Sequence, residues 1–521
     1  MLDWIRRLSG ADDTAPIDLK QTRKFIAELP AGNSFKCLEE LGYALESLRN
    51  SDEVEPATNF EIIDLIDHTA KTHYARLSQE YLASRLHKYQ ENLLWTTIFQ
   101  FCKQLSSAYL DCIEAFNTVA KHKAGLASRL PVIATRTTAA LAMQLKWGLL
   151  RYGPVDEQIW ADLGKVYAFA EARAIHRTEN AMYPALYGAS SVCREFLKAL
   201  MLAVSSTDKL LPIQLEIAER IVSHFSGWFT IELSPSPATP YYFDLNGSAP
   251  PARRLQDADL GGNLRFFGPG KSSRELDNLI HSIKIGPTPD ELNLGPAYTQ
   301  RAVIEVLRHF AQFWAAKPPA RKAERRNSMN RLAVLHGYEQ IFSTLCRRGE
   351  DSAEPDGAES WIAQNISAGG YGAVIENVKG DWLRVGGLVG IKTEAEREWS
   401  IGIIRRLSRD SQHQRHVGIE VLARSVQPAR LFEIQAATES ALTIDSQNDS
   451  KKDPELHCML LSFEPADSGE VTLLLQPGCF NAEQSFELRV RGQSFLLAPE
   501  KLIEEGEEYD LGEFRLIQRL A

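Results

Sequence analysis

Arg321-Lys-Ala-Glu-Arg325-Arg326-Asn-Ser-Met-Asn-Arg331 opens an alternating run of apolar and polar residues, and Asn365-Ile-Ser367-Ala-Gly-Gly370 follows as a short turn. The two stretches carry the groups that hold an anionic, guanine-bearing ligand. A guanidinium fork matches both a pair of phosphate oxygens and the O6/N7 edge of guanine, whereas an ammonium is only a point charge. Small polar side chains and glycine let backbone N–H groups come close to a phosphate. Between Ala320 and Arg348 the basic residues Arg321, Lys322, Arg325, Arg326, Arg331, Arg347 and Arg348 are opposed only by Glu324 and Glu339. The result is a local positive field inside an acidic chain.

An RxxxR motif just ahead of a first strand, followed by [DN]xSxxG, resembles the PilZ domain, a small β-barrel that binds the bacterial messenger cyclic di-GMP. Asn365, Ser367 and Gly370 fill the second motif. In the first, Arg321 and Arg325 have the spacing but lie further upstream, while Arg326 and Arg331 stand nearer the strand with one residue too many between them. The resemblance implies an antiparallel barrel over residues 321–430 and cyclic di-GMP as ligand. It implies that Arg325, Arg326 and Arg331 grip guanine or phosphate, with Arg321 as an alternate. Asn365 and Ser367 are then hydrogen-bonding groups, and Gly370 permits the tight turn. In the family the arginine segment folds over the ligand, so binding is expected to reposition whatever precedes it. The runs Tyr371–Glu376, Leu388–Thr393, Trp399–Leu407 and Val417–Leu422 have the short, β-branched character of closely spaced barrel strands.

With 521 residues the chain exceeds one ordinary core, so several domains are expected. A net charge of -10 argues against binding a nucleic-acid polymer. The cysteines Cys37, Cys102, Cys112, Cys193, Cys346, Cys458 and Cys479 form no CxxC pair, which favours a reducing compartment such as the cytoplasm over a disulfide framework or a zinc site. No apolar run is long enough to span a bilayer, so no transmembrane segment is expected. The start, with Leu2, Ile5 and Leu8 beside two arginines, reads as a frayed helix.

Residues 1–226 read as a helical bundle or helical array. Leu94, Ile98, Phe101, Leu105, Tyr109, Cys112 and Phe116 fall on one side of a single helix. Asn33 or Ser34, and Asp156 after the break at Gly153-Pro154, are helix caps. Residues 227–316 form an aromatic and proline-rich insertion, with strands at Trp228–Leu233, Tyr241–Leu245 and Leu264–Phe267 and then closing helices. Gly268-Pro-Gly-Lys271-Ser272 invites a phosphate-loop reading, but Arg265 stands where that loop needs its first glycine. Ser272 instead reads as a cap, with Glu275 completing a capping box. The proline pair after Lys317 marks a domain boundary.

Residues 431–521 form a second small β domain, with strands at Ala441–Asp445, His457–Phe463, Val471–Gln476, Phe486–Arg491, Ser494–Leu497 and Phe514–Leu520. The run Glu504–Glu508 reads as a solvated turn, and His413 and His416 as surface turn residues without metal-ligand spacing. No GxSxG elbow, HExxH helix or strand-flanked GxGxxG is present, so no catalytic residue, metal or cofactor is assigned.

The fold class expected is a multidomain α + β chain: an all-α N-terminal part, an antiparallel β-barrel and a second small β domain. The function expected is non-enzymatic. Cyclic di-GMP is sensed by the barrel and read out to an unknown protein partner through the helical region. The alternative is a degenerate barrel acting as a protein-interaction scaffold. A third possibility is an enzyme with its pocket among the aromatics of residues 228–267.

Overall fold

The computed structural model describes residues 18–521 apart from 51–53, 84–85, 119–124, 184–186, 255–260, 296, 318–323, 348–354, 356, 377, 435–454, 464–468 and 521. The chain divides into two compact units, residues 1–320 and 321–521. The frayed helix expected at the start, the proline pair after Lys317, the strand at 441–445 and Arg321 lie outside the described residues.

In the first unit, ten helices are described: Leu19–Glu28, Ser34–Arg49, Pro56–Ala83, Lys88–Thr118, Leu130–Leu149, Glu157–Ala172, Val192–Ala203, Pro212–Phe225, Ser272–Ile285 and Gln300–Phe313. The apolar stripe of Lys88–Thr118 is buried from Leu94 to Phe116, where that helix packs on Ser34–Arg49 and Leu130–Leu149. Asn33 accepts from Lys36 N and Asp156 from Gln158 N, so both helices are capped as their sequences require. Ser272 behaves differently. It is already inside the helix, with Lys271 at the cap position, and its buried hydroxyl turns back to donate to Pro269 O at 2.5 Å, so the capping box does not form.

Two small sheets belong to this unit. One is the hairpin of β1 (Asn180–Tyr183) and β2 (Tyr187–Ser190); the other contains β3 (Thr230–Glu232), β4 (Tyr241–Asp244), β5 (Ala252–Arg253) and β6 (Leu264–Gly268), in the order β3-β6-β4-β5. Three of its aromatics, Tyr241, Phe243 and Phe267, pack into the helical core. Phe243 and Phe267 are buried in the same cluster as the helix stripes, and Tyr241 stacks on Phe267 at 5.5 Å. Arg265, the residue that spoils the phosphate loop, is a structural ion-pair partner whose Nε donates to Glu171 Oε1 at 3.0 Å.

In the second unit, β7 (Arg326–His336), β8 (Glu359–Ser367), β9 (Gly370–Ile375), β10 (Leu388–Thr393), β11 (Ser400–Arg409) and β12 (Arg415–Ala423) close an antiparallel barrel in the order β10-β11-β12-β9-β8-β7. Alternation drives the closure: Leu332, Val334, Trp361 and Ala363 point inward, while Arg331, Ile362 and Gln364 stay exposed. Next come β13 (Gln427–Glu433), β14 (Glu455–Phe463), β15 (Glu470–Leu475), β16 (Phe486–Val490), β17 (Gln493–Glu505) and β18 (Asp510–Leu520), a second closed barrel in the order β13-β14-β15-β18-β17-β16.

A helix, Tyr338–Cys346, interrupts the first barrel between β7 and β8 and joins the two barrels. Its Tyr338, Ile341, Phe342 and Leu345 share one core with Leu388, Ile401 and Ile403 of the first barrel and Met459, Leu474 and Leu511 of the second. Tyr338 Oη sits 2.8 Å from His457 O and 3.1 Å from Leu474 O. The acidic run around Glu504 lies at the bend between β17 and β18, with Glu505 and Glu507 exposed, and it also carries ion pairs. Glu504 takes both arms of the Arg405 fork, and Glu507 and Glu508 hold Arg384. The run was legible only as charge because its partners lie far away in sequence.

Candidate ligand-binding site

The Asn-Ser-Gly motif is a hairpin. Asn365 and Ser367 end β8, Ala368 and Gly369 make the turn, and Gly370 starts β9, with Ser367 paired to Gly370. Gly370 is required by close approach rather than by turn geometry, since a Cβ there would lie 2.0 Å from Ile419 O on β12. Ser367 Oγ donates to Gly370 O at 3.3 Å. The turn is locked from outside by Arg424, which donates to Ser367 O and Ala368 O at 3.1 Å each and reaches Tyr371 Oη at 3.3 Å.

Asn365 turns towards the outer face of the barrel, over Gly372. A Cβ on Gly372 would stand 2.6 Å from both polar atoms of the Asn365 amide, so the glycine is what makes room for that side chain. Here a cleft of about 240 Å³ opens, lined by Arg325, Asn365, Gly372, Arg406, His416 and Gly418 among others. Arg325, just ahead of β7, and Asn365, at the end of β8, thus come from the two sequence motifs and meet in one cleft.

The other candidates are placed differently. Arg326 begins β7 opposite Ile366, and Arg331 donates from Nε to Ser360 Oγ at 2.7 Å. Ser367 and Gly370 shape the hairpin next to the cleft and are absent from its lining.

Among the lining residues that escape the sequence motifs are Arg406 and Ser408 on β11 and His416 on β12. His416, expected in a turn, is a strand residue paired with Val374 of β9. Its Nε2 lies 2.9 Å from Asp410 Oδ2, and since an ionised carboxylate only accepts, this nitrogen carries the hydrogen. The His416 hydrogen bond, aided by the backbone N–H groups of Gln414 and Gln412, holds the Asp410 carboxyl below its ordinary value. The only signal that could have found these residues was strand pairing. The walls of the cleft carry two guanidinium groups and an imidazole, with no acid among the lining residues, which suits a phosphate-bearing ligand.

Among the described residues no cluster of three or more His, Cys, Asp or Glu is arranged to hold a metal, and no helix is long and apolar enough to cross a membrane.

Comparison with known families gives two matches. Residues 20–237 match the N-terminal domain of the cyclic-di-GMP receptor FimW, and residues 347–428 match the middle PilZ domain of that receptor. No curated protein matches the chain. The second match covers strands β8 to β12, including the Asn365 hairpin and the Arg406 and His416 wall, and begins after the arginine arm. The barrel formed by β7 to β12 is therefore a PilZ domain.

Proposed function

We propose that the chain is a cyclic di-GMP receptor that binds its ligand in the cleft on the outer face of the first barrel. The observation that carries this is the meeting of Arg325 and Asn365 in one cleft with a basic wall opposite. The family matches to a cyclic-di-GMP receptor in both units support the same ligand. Each well-placed arginine fork on a guanine edge contributes roughly 1–3 kcal/mol. Ordering the arm around the ligand costs about 1–2 kcal/mol per backbone residue fixed. Two forks and the Asn365 amide therefore suffice for binding only if the arm is short.

The helical unit, which precedes the arm in sequence, is the readout: its surface engages a protein partner whose affinity depends on the messenger. The protein acts by binding rather than by catalysis, and works in the cytoplasm where the messenger is made. Ser367 and Gly370 support the site through the hairpin, Arg321 and Arg326 add positive charge to the segment around Arg325, and Arg331 adds it from β7.

Calorimetric titration of the full chain with cyclic di-GMP tests this, with GMP as the competing mononucleotide. The expected result is saturable heat and a raised melting temperature with the cyclic dinucleotide alone. A folded chain that gives neither is a scaffold, and the receptor assignment falls.

A further inference from the structure

We propose that the cavity beside β2 in the helical unit is a docking site for an extended segment of a partner protein, which adds to the free edge of β2 and buries one uncharged apolar side chain in the cavity. This rests on the reading of the helical unit as the readout, and names its surface and the kind of partner that fits.

The cavity has a volume of about 330 Å³ and lies within the first unit. Pockets for small molecules run from roughly 300 to 1,000 Å³, so this one suits a single anchoring side chain better than a cofactor. Helical spacing makes its floor. Ala139, Ala142 and Met143 recur at three- and four-residue steps on helix Leu130–Leu149, and Ala199 and Leu202 do so on helix Val192–Ala203. The alanines among them leave the space.

The charges around the floor decide what enters. Lys146 pairs with Glu216 and Glu219, Lys198 with Glu195, Lys71 with Asp67, Arg220 with Glu216 and Arg194 with Glu179. Every charged side chain of the lining is therefore already matched. A charged occupant would break one of these pairs and leave its partner uncompensated, whereas an uncharged group leaves them intact.

β2 supplies the backbone. Among the described residues it has one strand neighbour, β1. Gly188 and Ala189 are exposed and belong to the wall of the cavity, and a Cβ on Gly188 would meet nothing within 4 Å. The run Tyr187-Gly-Ala-Ser190 has none of the lysines or prolines that close an edge to pairing. Arg194 donates to Ala189 O at 3.4 Å, and because a carbonyl has two lone pairs an incoming N–H can share it. Strand addition of this kind takes its affinity from main-chain bonds and its selectivity from a pocket for alternate side chains.

The test is selection of a displayed random heptapeptide library on the full chain, followed by fluorescence anisotropy of the enriched peptide. The expected consensus is an extended segment with one uncharged apolar anchor, and exchange of that anchor for lysine or glutamate should weaken binding about tenfold or more. N-methylation of one alternating set of backbone nitrogens should do the same, while the other set tolerates it. Ala142→Leu and Ala139→Leu fill the cavity from partly exposed positions, and each should weaken the peptide about tenfold while the melting temperature and the cyclic di-GMP titration stay as in wild type. No enrichment, a charged anchor, equal binding to wild type and both filled variants, or indifference to N-methylation would overturn the docking site. Cyclic di-GMP binding without peptide binding removes this inference and leaves the receptor reading standing. Peptide binding without cyclic di-GMP binding removes the receptor reading alone.

Discussion

Replacing Arg405 by alanine tests how the two barrels are held together. A register shift between Ile404 and Arg406 leaves Arg405 without a partner in the β11–β12 ladder. This is how two adjacent arginines serve different neighbours, one at the cleft and one at the second barrel. The Arg405 fork meets Glu504 Oε1 and Oε2 at 2.6 Å each, and its Nε meets Glu420 at 2.8 Å. Burial alone lowers the pKa of this guanidinium, and the Glu504 fork more than reverses that.

Three charge-assisted bonds give several kcal/mol in a dry site, at about 1.5–3 kcal/mol each. The side chains of Arg405 and Glu504 are 34% and 30% exposed, so solvent screening removes much of this. Tyr509 Oη, at 2.7 Å from Glu504 Oε1, also keeps the carboxylate partnered after the arginine is gone. A net loss of roughly 2 kcal/mol remains, or about 4–8 °C in the melting of a unit of this size. Thermal and urea unfolding of Arg405→Ala, Glu504→Gln and the double variant give the coupling energy, expected at roughly 1–2 kcal/mol. A coupling below about 0.3 kcal/mol would refute the clamp and leave the fastening to the apolar face of helix Tyr338–Cys346 and the Arg384 pairs with Glu507 and Glu508.

Gly370→Ala should destabilise the second unit by roughly 1–3 kcal/mol, because its Cβ would lie 2.0 Å from a backbone oxygen that cannot move without breaking the β9–β12 pair; urea denaturation reads this directly. A chain ending at Arg430 is cut inside β13 and strips the cover from Ile341, Phe342 and Leu345, so a fragment of residues 321–430 should bind a hydrophobic dye and aggregate while residues 321–521 do not. The first unit should lose stability on acidification through Glu171. The Arg265 hydrogen bond holds its carboxyl below the ordinary value, against the opposing effect of burial. The folded pKa is the lower one, so the stabilisation is full above the unfolded value of about 4.3 and is lost as pH falls through the folded value. Arg265→Ala should flatten that part of the stability–pH curve, and an unchanged curve would contradict the assignment.

Local periodicity made much of the fold legible. The stripe from Leu94 to Phe116 and the caps at Asn33 and Asp156 depend on neighbours a few residues away, and the structure follows them. The short runs at Leu388–Thr393 and Trp399–Leu407 became strands for the same reason. Asn365 was found because its motif is contiguous. Long-range pairing hid the rest. Arg406, His416 and Gly418 reach the cleft only through the β11–β12 and β12–β9 ladders, and Glu504 meets Arg405 across 99 positions of sequence. No element was expected at Tyr338–Cys346, whose apolar residues follow β7 after a single glycine. Ser272 was misjudged by one position, enough to turn a cap into a helix residue.

The most direct test of the central claim is hydrogen–deuterium exchange of the full chain with and without cyclic di-GMP. The account predicts slowed exchange at the arm around Arg325, at the hairpin turn between Ser367 and Gly370, and at the Asp410–Gln414 turn beside His416. Protection confined to the helical unit or to the second barrel, or no change at saturating ligand, would contradict it.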